Sequence, residues 1–80
     1  MTKLELRMAR AEKAYANYRE LMEFSRDALK WARTARRNGN REDHLDLLRQ
    51  AEHWRIRALD WYRKYQKISA KIVQEVYNGY

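Results

Sequence analysis

The sequence predicts an all-α fold: an antiparallel, coiled-coil-like two-helix hairpin that pairs with a second copy to form a four-helix bundle. The 80 residues contain no Pro and only two Gly, whereas loop-rich and β-sandwich folds need frequent turn residues. Apolar residues recur at alternating spacings of four and three along both halves of the chain, as they do in the seam of a coiled coil. One turn signal, Asn38-Gly39-Asn40, lies at mid-chain.

The first helix is predicted over about residues 3–37. Thr2 and Glu5 match a capping box, in which the Thr2 hydroxyl accepts a hydrogen bond from the Glu5 amide. No helix-breaking residue follows before Arg37. The sequence therefore predicts a helix of roughly 36 residues, which is about 54 Å long.

The turn is predicted at residues 38–40 and the second helix at about residues 41–78. Gly39 can adopt the left-handed conformation that ends a helix, and Asn40 can cap the next one. Glu42 and Asp43 then fall in the first turn, where the helix dipole favours negative charge. Because the turn lies at mid-chain, we expect residues 1–80 to form one hairpin domain. Residues whose numbers add up to about 78 then lie opposite each other.

The spacing of apolar residues also predicts the seam between the helices. On the first helix it comprises Leu4, Met8, Ala11, Tyr15, Tyr18, Met22, Ser25, Leu29 and Ala32. On the second helix it comprises Leu47, Ala51, Trp54, Ala58, Trp61, Tyr65, Ile68 and Ile72. Ser25 is the one residue that interrupts the apolar pattern. Large aromatic side chains opposite alanines predict interlocking across this seam.

A second apolar stripe lies outside the predicted seam. Its members are Leu21, Phe24, Ala28, Trp31 and Ala35 on the first helix and the pairs Leu45/Leu48, Leu59/Tyr62 and Val73/Val76 on the second. A two-helix hairpin has one internal seam, and so small a chain buries little apolar surface alone. We therefore expect these residues to form a self-association or protein interface, most economically in a homodimer. Docking on a different protein and packing of a short terminal segment are the alternatives.

The charge of the chain predicts an anionic partner. Eighteen Lys and Arg against eleven Asp and Glu leave a net charge of +7, which favours an acidic protein surface or nucleic acid. The predicted binding residues form a cluster at the turn end, Lys30, Arg33, Arg36, Arg37 and Arg41, and a cluster at the terminal end, Arg7, Arg10, Lys64, Lys67 and Lys71. Alternatively, these cations complement a helix dipole, keep the surface soluble, or pair crosswise in a dimer.

Residues with catalytic or metal-binding chemistry are sparse, and we expect neither an enzyme nor a bound cofactor or metal. The chain has no Cys, and its two His, His44 and His53, are nine residues apart on different helix faces. Two Gly cannot build a phosphate-binding loop, and a narrow hairpin lacks a deep pocket for a small-molecule substrate. The protein is expected to work by binding.

Three functions fit these features. The first is a stoichiometric regulator or inhibitor of a protein, of the kind that phages and mobile elements direct at host nucleic-acid-handling or defence complexes, with Trp, Tyr and Arg as binding hot spots. The second is direct binding of RNA or DNA by a dimeric hairpin, with basic residues on phosphates and aromatic residues on bases. The third is a structural or assembly component.

Membrane association is not expected. The segment MTKLELRMAR is charged throughout and has no apolar core of the kind found in a secretory signal. No apolar run approaches the roughly 20 residues that cross a bilayer. Binding to a membrane surface is disfavoured because the apolar stripes are aromatic and have the period of protein packing. The sequence therefore predicts a soluble, cytoplasmic protein.

Overall fold

The computed structural model describes residues 2–79, which form two long α-helices joined by a tight turn. Helix α1 spans Lys3–Arg37 and helix α2 spans Arg41–Asn78, and residues 2–79 include no β-strand. The two helices pack along their length, and the Cα atoms fill a rod of 61 × 18 × 13 Å. The predicted all-α helical hairpin is confirmed.

Local hydrogen bonds explain where the helices begin and end. The Thr2 side chain accepts from the Glu5 amide at 3.1 Å and caps α1. At the turn, the Gly39 amide donates to the Arg36 carbonyl at 3.1 Å and the Asn40 amide to the Ala35 carbonyl at 2.9 Å. These two bonds form a Schellman motif, which requires a left-handed residue between the helices. Gly39 meets that need with a φ of 73°.

Asn40 then starts the second helix. Its side-chain oxygen accepts from the Asp43 amide at 3.2 Å, and its side-chain nitrogen donates to the Asp43 carboxylate at 2.7 Å. This reciprocal pair satisfies an amide that has no partner within the helix, as an N-cap should. The three turn residues therefore end α1 and begin α2 with no unstructured linker between them.

We expect Gly39→Ala to destabilise the hairpin by about 1–2 kcal/mol, because a side chain in the left-handed region brings Cβ too close to the next carbonyl. The free energy of unfolding in urea measures the loss. Gly79→Ala is the matched control, since Gly79 has a right-handed φ of −79°. Its added Cβ would lie 3.2 Å from the Glu75 carbonyl oxygen at the end of α2, and we expect a loss smaller than that of Gly39→Ala, of no more than about 1 kcal/mol. Equal losses in both variants would show that strain at the turn does not matter.

The seam on α2 agrees with the prediction, whereas three of the nine predicted seam residues on α1 differ from it. All eight predicted α2 residues are buried or half-buried. On α1, the residues Met8, Tyr15 and Leu29 are instead 39–48% exposed. Their places are taken by the residues one position earlier, Arg7, Ala14 and Ala28, which are buried or half-buried. Leu21 and Ala35, which continue the same line at intervals of seven, are also half-buried and buried. The apolar band on α1 is wide enough for two seams with the same spacing, and the structure uses the one with more alanines.

The core of the hairpin consists of small residues. Its buried residues are Ala11, Ala14, Ser25, Ala28, Ala32, Ala35, Ala51 and Ala58. No large side chain among the described residues is fully buried. The Ser25 hydroxyl donates to the Ala51 carbonyl of the facing helix at 2.8 Å, so the two backbones lie close together. Small side chains permit this approach, and they leave the larger apolar residues on the flanks.

Candidate functional site

The seam divides the surface of the hairpin into two broad faces. Successive residues of an α-helix lie about 100° apart, so positions beside the seam recur every seven residues. The tryptophan face comprises Lys3, Arg10, Asn17, Phe24 and Trp31 on α1 and Asp43, Gln50, Arg57, Lys64 and Lys71 on α2, with Trp54 and Trp61 beside them. The tyrosine face comprises Met8, Tyr15, Met22, Leu29 and Arg36 on α1 and Arg41, Leu48, Arg55, Tyr62, Ser69 and Val76 on α2.

The half of the tryptophan face nearer the turn is aromatic. The rings of Phe24 and Trp54 contact each other across the helices, with centroids 5.3 Å apart and planes inclined by 60°. Trp31 lies one heptad nearer the turn and is 61% exposed. Acidic Asp27 and Asp43 line the grooves next to these rings. This half therefore offers apolar aromatic surface with negative charge around it.

The other half of the tryptophan face is basic. Seven exposed cations lie on it or on its rim: Lys3, Arg10, Lys13, Arg57, Lys64, Lys67 and Lys71. None of them belongs to the four ion pairs formed within residues 2–79. The Lys64 ammonium lies over the Trp61 ring, 4.3 Å from its centroid. A cation–π contact of this kind holds the ammonium at the surface and leaves its N–H groups able to donate.

Arg7 does not belong to this basic surface. The sequence places it near Lys71 as part of a binding cluster, but its guanidinium forms an ion pair with Glu75, and both side chains are about two-thirds buried. Glu75 lies one helical turn beyond Lys71, within reach of the long Arg7 side chain across the seam. The expectation that the hairpin leaves the charge of Arg7 unneutralised is therefore wrong.

The predicted cluster at the turn end lies elsewhere. Arg36 and Arg41 are on the tyrosine face, Arg33 is on its rim, and Lys30 and Arg37 point away from α2. All five are exposed, and none takes part in the four ion pairs of the described residues. The two predicted basic clusters thus lie at opposite ends of the rod. Apart from Arg7, the terminal cluster is on the tryptophan face or its rim, whereas no residue of the turn cluster is on that face, so one flat partner surface cannot contact all of them.

The tyrosine face is the more apolar of the two. Four tyrosine rings form a closed cluster with centroid distances of 5.0–5.9 Å, namely Tyr15, Tyr18, Tyr62 and Tyr65. Of the twelve exposed large hydrophobic residues in the described chain, seven lie on this face or its rim: Met8, Tyr15, Leu29, Leu45, Leu48, Val73 and Val76. The side-chain hydrogen bonds and negative charge of Glu52 raise the pKa of the Arg55 guanidinium on this face, so Arg55 keeps its charge.

The predicted interface stripe is not one surface. Ala28 is buried and Leu21 is half-buried in the seam, so the expectation that they face outward is wrong. Phe24 and Trp31 lie on the tryptophan face, whereas Leu45, Leu48, Leu59 and Tyr62 lie on the tyrosine face or its rim. The stripe is divided because the helices are antiparallel. In this arrangement, residues that come one position after a seam residue lie on the same face of both helices. The stripe combined residues that precede the seam on α1 with residues that follow it on α2.

Sequence reasoning missed a contact near the turn. His44 Nδ1 lies 2.9 Å from the Ala32 carbonyl on α1. A carbonyl can only accept, so Nδ1 carries the proton in this hydrogen bond. His44 precedes Leu47 by three residues and continues the α2 seam by one position, which is the signal that could have identified it. The residue fastens the start of α2 to α1.

Residues 2–79 contain neither a candidate metal-ligand cluster nor a candidate membrane-spanning helix. This part of the chain contains no group of three or more His, Cys, Asp or Glu placed to hold a metal ion. Neither of the two helices, within the residues described, is long and apolar enough to cross a membrane. No protein-family model, no curated protein and no solved structure matches the chain. The two faces of the hairpin are therefore the features of this chain that bear on its function.

Proposed function

We propose that the chain is a non-catalytic binding protein that acts by stoichiometric contact between its tryptophan face and an acidic surface of another protein. The observation that carries this proposal is the set of seven exposed cations on one half of that face, none paired within residues 2–79. Cations gathered on one side of a rod attract and orient a negatively charged partner.

The aromatic half of the same face favours a protein over nucleic acid. Phe24, Trp31 and Trp54 provide the large rigid side chains that dominate binding energy at protein interfaces. Glu20, Asp27 and Asp43 line the grooves beside them and would repel a phosphate backbone that continued along the rod. A protein with an acidic patch and a neighbouring apolar pocket complements both halves.

A surface that binds and carries no catalytic group suits a regulator or inhibitor that covers a site on its target. We propose such a role, with a nucleic-acid-handling or defence complex that carries an acidic patch as the kind of target, because only an acidic patch complements the seven cations. We also propose that the hairpin self-associates through the tyrosine face, which leaves the tryptophan face accessible.

Direct nucleic-acid binding is the second candidate. The contact of Lys64 with Trp61 favours it, because it places a donor for phosphate beside an aromatic ring that can stack on a base. The basic half extends from Arg57 to Lys71, which is roughly 21 Å of helix and long enough for several phosphates. For binding of this type, the logarithm of the binding constant would fall linearly with the logarithm of the salt concentration.

We expect Lys64→Glu with Lys71→Glu to abolish partner binding and to leave the helical content unchanged, because both side chains are exposed. Lys30→Glu with Arg37→Glu is the matched control, with the same change of charge on the outer side of α1. The measurement is capture of partners from lysate of the native cell, with and without nuclease, followed by identification of the captured protein. A labelled panel of RNA and DNA at several salt concentrations accompanies it.

If the partner is a protein, the natural chain should still capture it after nuclease treatment. The Lys64→Glu/Lys71→Glu variant should no longer capture it, and the control variant should. Capture that disappears with nuclease, together with steep salt dependence on the panel, would establish the nucleic-acid candidate instead. Loss of the partner in the control alone would move the binding site to the turn end.

A further inference from the structure

The tyrosine face lacks a partner in the single hairpin. Seven of the twelve exposed large hydrophobic residues lie on it or its rim, and the core beneath it consists of alanines and Ser25. Hydrophobic surface of this extent is typical of an interaction site. The Cα dimensions of 61 by 18 Å give one face more than the roughly 800 Å² that each partner contributes to a standard interface.

The charges on the rim of this face indicate what covers it. On α1 the rim residues lie seven apart, and they are in order Glu5, Glu12, Arg19, Arg26 and Arg33. Glu12, Arg19 and Arg26 line the grooves that open onto the tyrosine face. All five are exposed, and the ion pairs of residues 2–79 include none of them. The rim is therefore acidic in its first half and basic in its second half.

We propose that a second copy of this chain packs on the tyrosine face, with α1 antiparallel to α1 and α2 antiparallel to α2. A two-fold axis near Arg19 then places Glu5 opposite Arg33 of the second copy and Glu12 opposite Arg26 of the second copy. Two-fold symmetry repeats both contacts, so four ion pairs close along this rim. The acidic half of each rim meets the basic half of the other.

The same register matches the apolar residues. On α1 it places Met8 opposite Leu29 and Tyr15 opposite Met22, in each case of the second copy. On the rim of α2 it places Leu45 opposite Val73, and Leu59 opposite the same residue of the second copy. One displacement of the two hairpins therefore pairs four rim acids with four rim bases and also matches the hydrophobic residues, as a four-helix bundle requires. Arg19 meets Arg19 of the second copy at the axis, where its long, exposed side chain turns to solvent.

The other face-to-face arrangement fits less well. A two-fold axis along the rod would set the rim of α1 against the rim of α2, with Arg19 against Leu59 and Arg33 against Leu45. That arrangement buries charged side chains against apolar ones and leaves Glu5 and Glu12 without cations. The tryptophan face is a poorer choice for a second copy, because only three of the twelve exposed large hydrophobic residues, Leu6, Phe24 and Trp31, lie on it or its rim, and its cations outnumber its acids.

Charge reversal on the rim tests this arrangement. Glu5→Arg with Glu12→Arg makes the rim wholly basic, and Arg26→Glu with Arg33→Glu makes it acidic at every position except Arg19. We expect each variant alone to dimerise roughly tenfold to a hundredfold more weakly than the natural chain, because four exposed pairs are lost and replaced by repulsion. An equimolar mixture of the two variants should recover the dimer. Sedimentation equilibrium at low salt measures the dimer dissociation constant of each variant and of the mixture. Circular dichroism shows whether the helices remain formed.

The mixture separates a lost interface from a lost fold, because recovery on mixing is impossible if the substitutions merely prevent folding. General attraction cannot explain recovery either: starting from +7, the changes of four charge units give +11 and +3, both positive. The control variant is Lys13→Glu with Lys67→Glu, which also has a net charge of +3 but is changed on the rim of the tryptophan face. It should dimerise as strongly as the natural chain. A natural chain that is monomeric at about 100 µM, variants that dimerise normally, or a mixture that stays monomeric would each overturn the proposal.

Crosslinking tests the orientation. The chain has no Cys, so Arg19→Cys introduces one thiol next to the proposed two-fold axis, and oxidation should link two copies. Ile56→Cys, 51% exposed on the outer side of α2, should remain unlinked under the same conditions. Equal crosslinking of both variants, or none of Arg19→Cys, would reject the antiparallel register. These outcomes do not depend on the tryptophan face, so they stand apart from the test of partner binding.

Discussion

Replacement of Ala58 by Leu is expected to destabilise the protein by roughly 1–3 kcal/mol. Ala58 is fully buried where the two helices meet, and the hydrogen bond from Ser25 to the Ala51 carbonyl shows how close the backbones are. A larger side chain must push the helices apart or adopt a strained rotamer. Thermal unfolding followed by circular dichroism should show a fall in Tm of about 4–8 °C per kcal/mol for a chain of this size.

Ala70→Leu is the matched control for this substitution. Ala70 lies on the same helix but is exposed, so the added carbons meet solvent and Leu keeps a good helix propensity. We expect its free energy of unfolding to change by no more than about 0.5 kcal/mol. Both variants should be compared at one protein concentration, because self-association makes Tm depend on concentration. Equal effects at the two sites would mean that the alanine seam is not the tight contact of the fold.

The substitution Trp54→Ala is expected to remove about 2 kcal/mol of stability, less than the roughly 3–5 kcal/mol of a wholly buried aromatic residue. The Trp54 side chain is half-buried at the seam. It contacts Phe24 at a centroid distance of 5.3 Å, and the Arg57 guanidinium lies 5.9 Å from its ring centroid. The change removes apolar area from the junction of the two helices, and urea denaturation measures the loss.

Trp31→Ala provides the comparison, since Trp31 lies on the same face but is 61% exposed. Its removal should cost less than about 1 kcal/mol of stability and should weaken binding of a protein partner to the tryptophan face. The two tryptophans thus separate folding from binding. A larger loss of stability for Trp31→Ala than for Trp54→Ala would contradict the described packing.

The turn and the helix ends could be predicted because their causes are local. Gly39 supplies a backbone conformation that other residues avoid, and Thr2 and Asn40 cap the amides of residues three positions later. These effects depend on neighbours in sequence. For the same reason, the predicted register of the hairpin agrees with contacts such as Ser25 with Ala51 and Tyr15 with Tyr65.

The faces could not be predicted, because each helix carries more apolar residues than one seam can hold. On α1, the spacing fits the lines through Tyr15 and through Ala14 equally well. Hydrophobicity favours the first line, but close approach of the backbones favours the second, and Ala14 is the buried residue. The choice depends on which side chains allow the facing helix to come near, and a single helix carries no information about that.

By itself, then, the sequence determined the helices, their turn, their antiparallel direction, the seam of α2 and the excess of positive charge. Tertiary structure alone decided the seam of α1, the pairing of Arg7 with Glu75, and the division of the exposed residues between a tryptophan face and a tyrosine face. The physical reason is one of range. Caps, turns and periodicity act within a few residues of the chain, whereas a surface is created only when residues far apart in sequence are brought side by side.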